Sequence, residues 1–451
     1  MAQWQQGQVV EVTIVDLNDQ GAGVGRLDNW VVFVPDTVPG DRVQVRLVQV
    51  KRQYGYGQLQ RVITPSPDRC RPACIVADKC GGCQWQTVAY ERQLAAKQNQ
   101  VIQALQRLAA LPVPAVAPIL AAAHPLGYRN KATYPLRRSA TGQVQAGYYR
   151  KRSHRLINLN QCPVQDPRLD PLLAGIKPDL TAQGWSIYDE ATHQGTLRHL
   201  ALRIGRRTGE ILLTLVVRDY RLPNLETQVR TWLQRYPRLV GVCLNHNPDR
   251  TNVIFGEETA CVAGRAYLYE EFAGLRFRVE PTTFFQVYTE QAEQLFLKLC
   301  DRLRLTGHEI LIDAYCGVGS FTLPLAQRVR QVIGLEVSAV AIAQARMNAA
   351  ENQITNVSFQ VGRVEDWLPQ LTVQPDVVWL DPPRKGCDRR VLDALLTLKP
   401  QHIVYISCKP ATLARDLKVL CQEGEYQVKW VQPADFFPQT PHVECAVWLW
   451  R

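Results

Sequence analysis

The sequence predicts an α/β protein with several domains, and three observations carry this prediction. The chain has 451 residues, enough for about three domains of ordinary size. Apolar and polar residues alternate with a period of two over residues 1–63, which indicates short strands. From residue 271 onward, apolar strand-like runs alternate with helical runs, which is typical of a doubly wound, Rossmann-like parallel sheet.

The composition narrows the class of protein. Hydrophobic residues make up 46% of the chain and charged residues 21%, so a disordered chain is excluded. Runs of about 18 apolar residues are missing, and the first residues lack the apolar core of a signal peptide. We therefore expect a cytoplasmic protein with no membrane partner, and a monomer by default. The formal net charge of +11 favours an acidic partner such as nucleic acid.

Residues 1–63 predict a small β-barrel of the OB type. QVVEVTIVDL and DRVQVRLVQVKR have strand alternation, and Gly21, Gly23 and Gly25 mark turns between them. Basic and aromatic side chains near the second strand suit RNA phosphates and bases, although a solvated basic face is the alternative. These side chains are Arg46, Lys51, Arg52, Tyr54, Tyr56 and Arg61.

Residues 64–270 predict a mixed α+β domain. A helix is expected from Tyr90 to about Leu111, and ALRIG and EILLTLVVRD are expected to be strands. Residues 127–138 and 148–155 are dense in basic and aromatic side chains. They predict an RNA-binding surface, with a loop that has no partner as the alternative.

Residues 271–451 place polar groups where strands end. A glycine-rich loop follows the strand at 310–312, and Glu336 ends the next strand, which together indicate a nucleoside cofactor. Asp381 follows a third strand and precedes two prolines, which fix a rigid loop able to line a base pocket. The alternative for Asp381 is a tight turn capped by the carboxylate.

Two further residues of this part are candidates for catalysis. Cys408 follows a fourth strand, and Lys409 and the amides of the next helix would favour its thiolate. Glu444 precedes the final strand and is a candidate general base. The alternatives are a buried inert cysteine and a surface carboxylate.

One reaction would use all these groups, namely methyl transfer to C5 of uracil. C5 is too weak a nucleophile to attack a sulfonium methyl group unaided. A thiolate that adds to C6 activates C5, and a base must then remove the C5 proton so that the thiolate leaves. The uracil must also leave its stack to reach the cleft.

Five motifs together resemble the RNA uracil-C5 methyltransferases. They are FFQV, DAYCGVGSF, DPPRKG, SCKPATLARDL and PQTPHVE, in the order that family has. The pattern Cys74-x5-Cys80-x2-Cys83, with Cys162, resembles the iron–sulfur ligands of the branch that acts on 23S rRNA. Residues 1–63 resemble the TRAM domain of that branch.

The resemblance implies roles for single residues. Cys408 is implied as the nucleophile and Glu444 as the proton acceptor. Contacts with S-adenosylmethionine are implied for Gln286, Tyr315, Ser320, Glu336 and Asp381. A [4Fe-4S] cluster with a structural or RNA-folding role is implied for the central domain, held by Cys74, Cys80, Cys83 and Cys162. The implied substrate is RNA, with 23S rRNA favoured and tRNA as an alternative.

The four cysteines also predict a metal site from their number and spacing alone. Four thiolates suit either a [4Fe-4S] cluster or Zn²⁺. The spacing differs from the paired cysteines of zinc ribbons, and Gly81 and Gly82 allow the tight loop that a cluster needs. An iron–sulfur cluster is therefore favoured, with zinc or no metal as alternatives.

The chain departs from the family at three positions. Tyr288, Ser320 and Lys409 each stand where the family usually has asparagine. None of the three removes the predicted nucleophile or base, so we expect an active enzyme. A non-catalytic RNA-binding or assembly factor and a redox or radical enzyme are the competing hypotheses.

Overall fold

The computed structural model describes residues 4–110 and 116–451. Leu111, the end of the predicted helix, lies outside the described residues, as do residues 1–3. No helix in the described part of the chain is long and apolar enough to cross a membrane.

The N-terminal strands form a closed barrel, which confirms the predicted barrel. Its order is β1-β2-β3-β5-β4, with β3 and β5 parallel and the other pairs antiparallel. The valines of the alternating pattern face inward, so one face of each strand supplies the core. The strands are β1 (Val9–Leu17), β2 (Gly23–Leu27), β3 (Trp30–Val34), β4 (Arg42–Val50) and β5 (Tyr54–Thr64).

The middle of the chain contributes a helix and a seven-stranded sheet. Helix α1 (Tyr90–Ala104) continues into one π-helical turn, Leu105–Ala109. The sheet has the order β12-β11-β10-β9-β6-β7-β8, and helices α2 (Asp170–Ala182) and α3 (Leu225–Arg235) lie beside it. Its strands are β6 (Lys131–Arg138), β7 (Val144–Tyr149), β8 (Leu156–Asn158), β9 (Leu197–Ile204), β10 (Ile211–Val217), β11 (Leu239–His246) and β12 (Glu258–Gly264).

The C-terminal part contains a second seven-stranded sheet, which confirms the doubly wound prediction. A hairpin of β13 (Leu268–Phe272) and β14 (Leu275–Val279) precedes it. The sheet order is β17-β16-β15-β18-β19-β21-β20, and only β21 runs antiparallel to both of its neighbours. The strands are β15 (Ile310–Ala314), β16 (Gln331–Glu336), β17 (Val357–Val361), β18 (Val377–Leu380), β19 (His402–Ser407), β20 (Gln427–Ala434) and β21 (Glu444–Trp450).

Helices cover both faces of this sheet, as its apolar strands require. Val101 and Leu105, in α1 and the turn that follows it, lie in the same core as Ile403 of β19. The first long helix of the chain is therefore packed against the C-terminal sheet. The helices of this part are α4 (Thr289–Leu303), α5 (Thr322–Ala326), α6 (Ala339–Glu351), α7 (Val364–Trp367), α8 (Arg389–Leu398) and α9 (Pro410–Glu423).

Candidate active site

Three of the residues predicted to hold the cofactor lie at one edge of the C-terminal sheet. Tyr315 follows β15, Glu336 ends β16 and Asp381 follows β18. These three strands are parallel neighbours in the order β16-β15-β18, so their carboxyl ends share an edge. Ligands of open α/β sheets bind at such an edge.

The glycine-rich loop is tied directly to Glu336. The N–H of Gly317 donates to Glu336 Oε2 at 3.2 Å, and the N–H of Ser338 donates to Oε1 at 2.8 Å. Tyr315 and Gly317 have φ angles of 72° and 56°, which bend the chain sharply after β15. The loop and the acidic strand end are thereby held as one unit.

Carboxyl groups crowd this edge. Burial raises the pKa of Asp313 to about 7, and the charges of Asp381 and Glu336 act in the same direction, although Thr322 donates to its carboxylate at 2.5 Å. Burial likewise raises the pKa of Asp381 to about 7. Because a nearby positive charge would favour the ionised carboxylates, the edge is suited to a cationic ligand such as a sulfonium.

The positions of the other two predicted cofactor residues neither support nor contradict a contact with the cofactor. Gln286 is buried, and its backbone carbonyl accepts a hydrogen bond from Asn130 Nδ2 at 2.9 Å. Ser320 is half-buried in the loop before α5. Within the described residues, neither side chain makes a hydrogen bond, and both remain predictions as cofactor contacts.

Strand pairing brings the predicted nucleophile and base together. Strand β19 pairs antiparallel with β21, and the last pair in that register is Ser407 with Cys445. Ser407 and Cys445 are the chain neighbours of Cys408 and Glu444, and the charge of Glu444 acts on the Cys408 thiol. Their proximity therefore follows from backbone pairing and not from flexible side chains.

Cys408 and Glu444 differ in exposure. Cys408 is half-buried, and Glu444 is only 6% exposed, so it is not the surface carboxylate of the alternative reading. Burial raises the pKa of Glu444 well above its usual range, and the charge of Asp381 raises it further. A carboxylate with a raised pKa is a stronger base, as proton abstraction requires.

Arg384 is the cation that acts on this pair. Burial raises the pKa of the Cys408 thiol and Glu444 adds to the effect, whereas the guanidinium of Arg384 lowers it by charge and by a hydrogen bond. Arg384 also opposes the rise in the pKa of Glu444. The sequence pointed to Lys409 for this role. Both side chains are exposed, and it is Arg384, in the DPPRKG motif, that lowers the pKa of the Cys408 thiol.

Cys408 lines a cavity of about 560 Å³. Its lining includes the barrel at residues 16–19, helix α1 at Asn99 and Gln103, and the segment from Pro441 to Val443. Arg384 and Lys409 line it as well. Cys408 is therefore accessible, unlike the buried inert cysteine of the alternative reading. The barrel forms one wall of the space beside it.

The predicted metal ligands also lie near one another. Burial raises the pKa of Cys83 to about 11 and that of Cys162 to about 12, and the thiols of Cys74 and Cys80 add to both. Residues distant in sequence therefore converge on one group of thiols. The N–H of Gly82 donates to Cys80 Sγ at 3.4 Å.

The thiols are not arranged as a ready-made metal site. In the two described ranges of the chain, no three histidine, cysteine or acidic side chains are placed to hold a metal ion. The predicted ligand geometry is therefore absent from this structure.

Tyr288, one of the departures from the family, lies in the same buried cluster as Tyr128 and Cys162. Its ring stacks on that of Tyr128 at 4.9 Å, and its hydroxyl bonds to the backbone of His124. Only 1% of Tyr288 is exposed, so it packs within the core and is not a surface group.

Two family models match the chain. The tRNA (uracil-5-)-methyltransferase model matches residues 252–451, and the TRAM domain model matches residues 3–60. Relatives named uncharacterised RNA methyltransferases match nearly the whole chain. One from Nostoc sp. is 64% identical over 99% of this chain and 97% of its own, and one from Halalkalibacterium halodurans is 42% identical over 97% and 95%.

A solved structure is similar over the same extent. It is the Pyrococcus abyssi tRNA (uracil-54, C5)-methyltransferase in complex with S-adenosyl-L-homocysteine. The TM-score is 0.78 at 27% identity, and the match covers 98% of this chain and 100% of that one. The chain therefore belongs to the RNA uracil-C5 methyltransferases, and it is an enzyme that methylates RNA with S-adenosylmethionine as the methyl donor.

Proposed function

We propose that the enzyme methylates C5 of a uridine through a covalent adduct with Cys408. The thiolate adds to C6, and the electron pair of the C5–C6 double bond moves onto C5 and O4. C5 takes the methyl group of S-adenosylmethionine, which leaves as S-adenosylhomocysteine. Glu444 then removes the C5 proton, the double bond re-forms and the thiolate is expelled.

The register of β19 and β21 is the observation that carries this proposal. Its last pair, Ser407 with Cys445, adjoins Cys408 and Glu444, which supports a uracil that meets the nucleophile and the base on the same face. Arg384 supports the thiolate by opposing the rise in its pKa. The acidic edge at Tyr315, Glu336 and Asp381 is the proposed cofactor site, with Gln286 and Ser320 beside it.

The barrel is the proposed RNA-binding domain, and the RNA would run from it to Cys408. Loop residues Asn18 and Asp19 line both the cavity at Cys408 and a second cavity of about 480 Å³ on the barrel. The second cavity is lined by Phe33, Tyr54 and Tyr56, whose ring centroids lie 5.7–6.0 Å apart. Unpaired bases stack on such aromatic groups.

For the target we propose 23S rRNA, because the TRAM match and the cysteine pattern favour that branch. Transfer RNA is a second candidate that a specific observation supports. The Pyrococcus abyssi enzyme acts on uracil-54 of tRNA and is matched over its whole length. A three-part architecture of this kind is thus compatible with either RNA.

We further propose that Cys74, Cys80, Cys83 and Cys162 hold a [4Fe-4S] cluster. The donor set fits, because four thiols converge and the Gly82 N–H already donates to one of them. When bound, the cluster would cross-link residue 162 to the loop at 74–83 and stabilise the central domain. Zinc in the same place is the outcome that metal and sulfide analysis would distinguish.

The first experiment supplies S-adenosylmethionine carrying a labelled methyl group. Protein purified without oxygen is incubated with 23S rRNA and with bulk tRNA, both lacking uracil-C5 methylation. Mass spectrometry of the digested nucleosides identifies the product. Labelled 5-methyluridine from rRNA alone is the expected result.

The other outcomes are equally informative. Label in tRNA alone would keep the chemistry and replace the target. An absence of label in both RNAs, with S-adenosylmethionine shown to bind, would contradict the proposal and favour a non-catalytic factor. Methylation that persists in Cys408→Ala with an intact cluster would overturn the covalent mechanism and revive a redox or radical one.

A further inference from the structure

The loop that carries the proposed base is held by residues from distant parts of the chain. We call residues 435–443, between β20 and β21, the carboxylate loop; Glu444 follows it and pairs with Ala434 across its base. Lys97 donates to Asp435 Oδ1 at 2.5 Å and to the Phe437 carbonyl at 3.0 Å. Both partners of this ion pair are fully buried.

Gln93 of α1 makes the most extensive contact with this loop. Its Oε1 accepts from the N–H of Gln439 at 2.9 Å, and its Nε2 donates to Gln439 Oε1 at 3.1 Å. The same Nε2 donates to the carbonyls of Trp85 and Val88 at 3.0 and 2.8 Å. Gln93 is 1% exposed and satisfies these groups in place of water.

The segment that contains two of the predicted metal ligands, Cys80 and Cys83, also bonds to the carboxylate loop at Gln439. We call residues 80–85 the cysteine loop. The N–H groups of Gln84 and Trp85 both donate to the Gln439 carbonyl, at 3.1 and 3.0 Å. Gln439 has a φ of 69°, which residues other than glycine rarely adopt, so these contacts hold it in a costly conformation.

These contacts reach Glu444 through the backbone. The carboxylate loop spans only nine residues between two paired strands, so a change at Gln439 alters the direction in which the chain enters β21. Gln93 does not line the cavity at Cys408, whereas Pro441 and His442 of the loop do. Gln93 can therefore act on the site through the loop.

We propose that Gln93 is a positioning residue for Glu444, and that together with the cysteine loop it sets the base for the last step. This inference rests on the proposed roles of Cys408 and Glu444. Adduct formation and methyl transfer use Cys408 and would continue if the loop shifted. Removal of the C5 proton would slow, so the methylated RNA would remain bonded to the enzyme.

The test compares Gln93→Met with Gln98→Met. Methionine keeps the length of the side chain and removes every hydrogen bond. Gln98 lies on the same helix and accepts from the N–H of Ile119, and within the described residues its side chain bonds to no group of the carboxylate loop. For each variant, kcat, KM for hypomethylated RNA and the fraction of protein linked to RNA on a denaturing gel are measured.

For Gln93→Met we expect kcat to fall about 10- to 100-fold and linked RNA to accumulate. KM should fall together with kcat, because the slowed step comes after the covalent adduct has formed. Gln98→Met should match the wild type in all three measurements. A fall in kcat without linked RNA, or an equal effect in Gln98→Met, would refute the positioning role. Glu444→Gln is the reference, and if it accumulates no linked RNA, the proposed function itself fails.

A second variant guards against misfolding of the first. Gln439→Gly suits the positive φ and keeps the backbone contacts with Gln93, Gln84 and Trp85, while it removes the side chain. We expect linked RNA at a level between those of the wild type and Gln93→Met. A level equal to that of the wild type, together with an unfolded Gln93→Met, would contradict the proposal.

Discussion

Cys408 and the group of thiols around Cys162 are built from the same residue type in two opposite environments. Cys408 is half-buried, borders a cavity and has a guanidinium that lowers the pKa of its thiol. Burial raises the pKa of the Cys162 thiol to about 12, and the thiols around it add to the rise. In the first environment, burial raises the pKa of the thiol and the guanidinium of Arg384 offsets part of that rise.

The environment around Cys162 favours several thiolates only if they share one cation. Thiols that raise one another's pKa release their protons together when a metal binds, because the metal supplies the missing positive charge. A neighbouring arginine supplies that charge for a lone nucleophile. Under the roles proposed here, Cys408 and Cys162 thus differ in the nature of the nearest positive charge, an arginine for the nucleophile and a metal for the ligand.

The largest effect is expected at Cys408. Cys408→Ala should lower the rate of uridine methylation at least about a thousand-fold, because no other group can add to C6. The rate is measured with labelled S-adenosylmethionine under single-turnover conditions. Cys261→Ala, at an exposed thiol of β12, is the matched control and should retain the wild-type rate.

The next effect separates ligand cysteines from other thiols. Cys162→Ser should reduce bound iron from about four atoms per chain to fewer than about one, because one ligand of the cluster is lost. Iron and acid-labile sulfide are measured in protein purified without oxygen. Cys70→Ser, at an exposed cysteine outside the ligand set, should keep its iron, and the reverse pattern would show that the set is wrong.

A smaller effect is expected at Arg384. Arg384→Gln removes the charge that lowers the pKa values of Cys408 and Glu444, so both rise. Both groups act in their deprotonated form, and activity should therefore appear about one unit higher in pH. Measurements of kcat/KM between about pH 6 and pH 10 test this shift. A profile that moves to lower pH would contradict the assignment.

The smallest effect is expected at Lys409. Arg384, and not Lys409, is among the main groups that shift the pKa of the Cys408 thiol. Lys409→Asn should move the pH profile by less than about 0.3 unit, within the same pH series used for Arg384→Gln. A shift as large as that of Arg384→Gln would show that Lys409 also lowers the pKa of the Cys408 thiol.

Local patterns predicted much of this architecture. Period-two alternation is enough to predict the barrel strands, and an apolar run followed by glycines is enough to predict β15 and its loop. Motif order placed Cys408 and Glu444 in one reaction. The identity of the cation beside Cys408 was missed, because an adjacent lysine in sequence is a poor guide to side-chain direction and Arg384 comes from another strand end.

Contacts of long range left no local signal at all. Gln93 lies in an ordinary helical pattern, and nothing in its neighbours indicates a partner 346 residues away. Gln439 lies within the PQTPHVE motif, yet its positive φ depends on contacts that only the folded chain supplies. The ligand geometry of the cysteines was also beyond prediction, since it depends on the state of four thiols and not on spacing.

The pairing of Gln93 with Gln439 has a consequence for how the protein is made. The barrel closes with contacts between residues 9 and 64, so it can form early during synthesis. Gln93, Lys97 and the cysteine loop must wait for residues 435–439 before their buried polar groups are satisfied. Until then water hydrates these polar groups, and Val101 and Leu105 lack the C-terminal sheet against which they pack, so α1 leaves apolar surface exposed during synthesis.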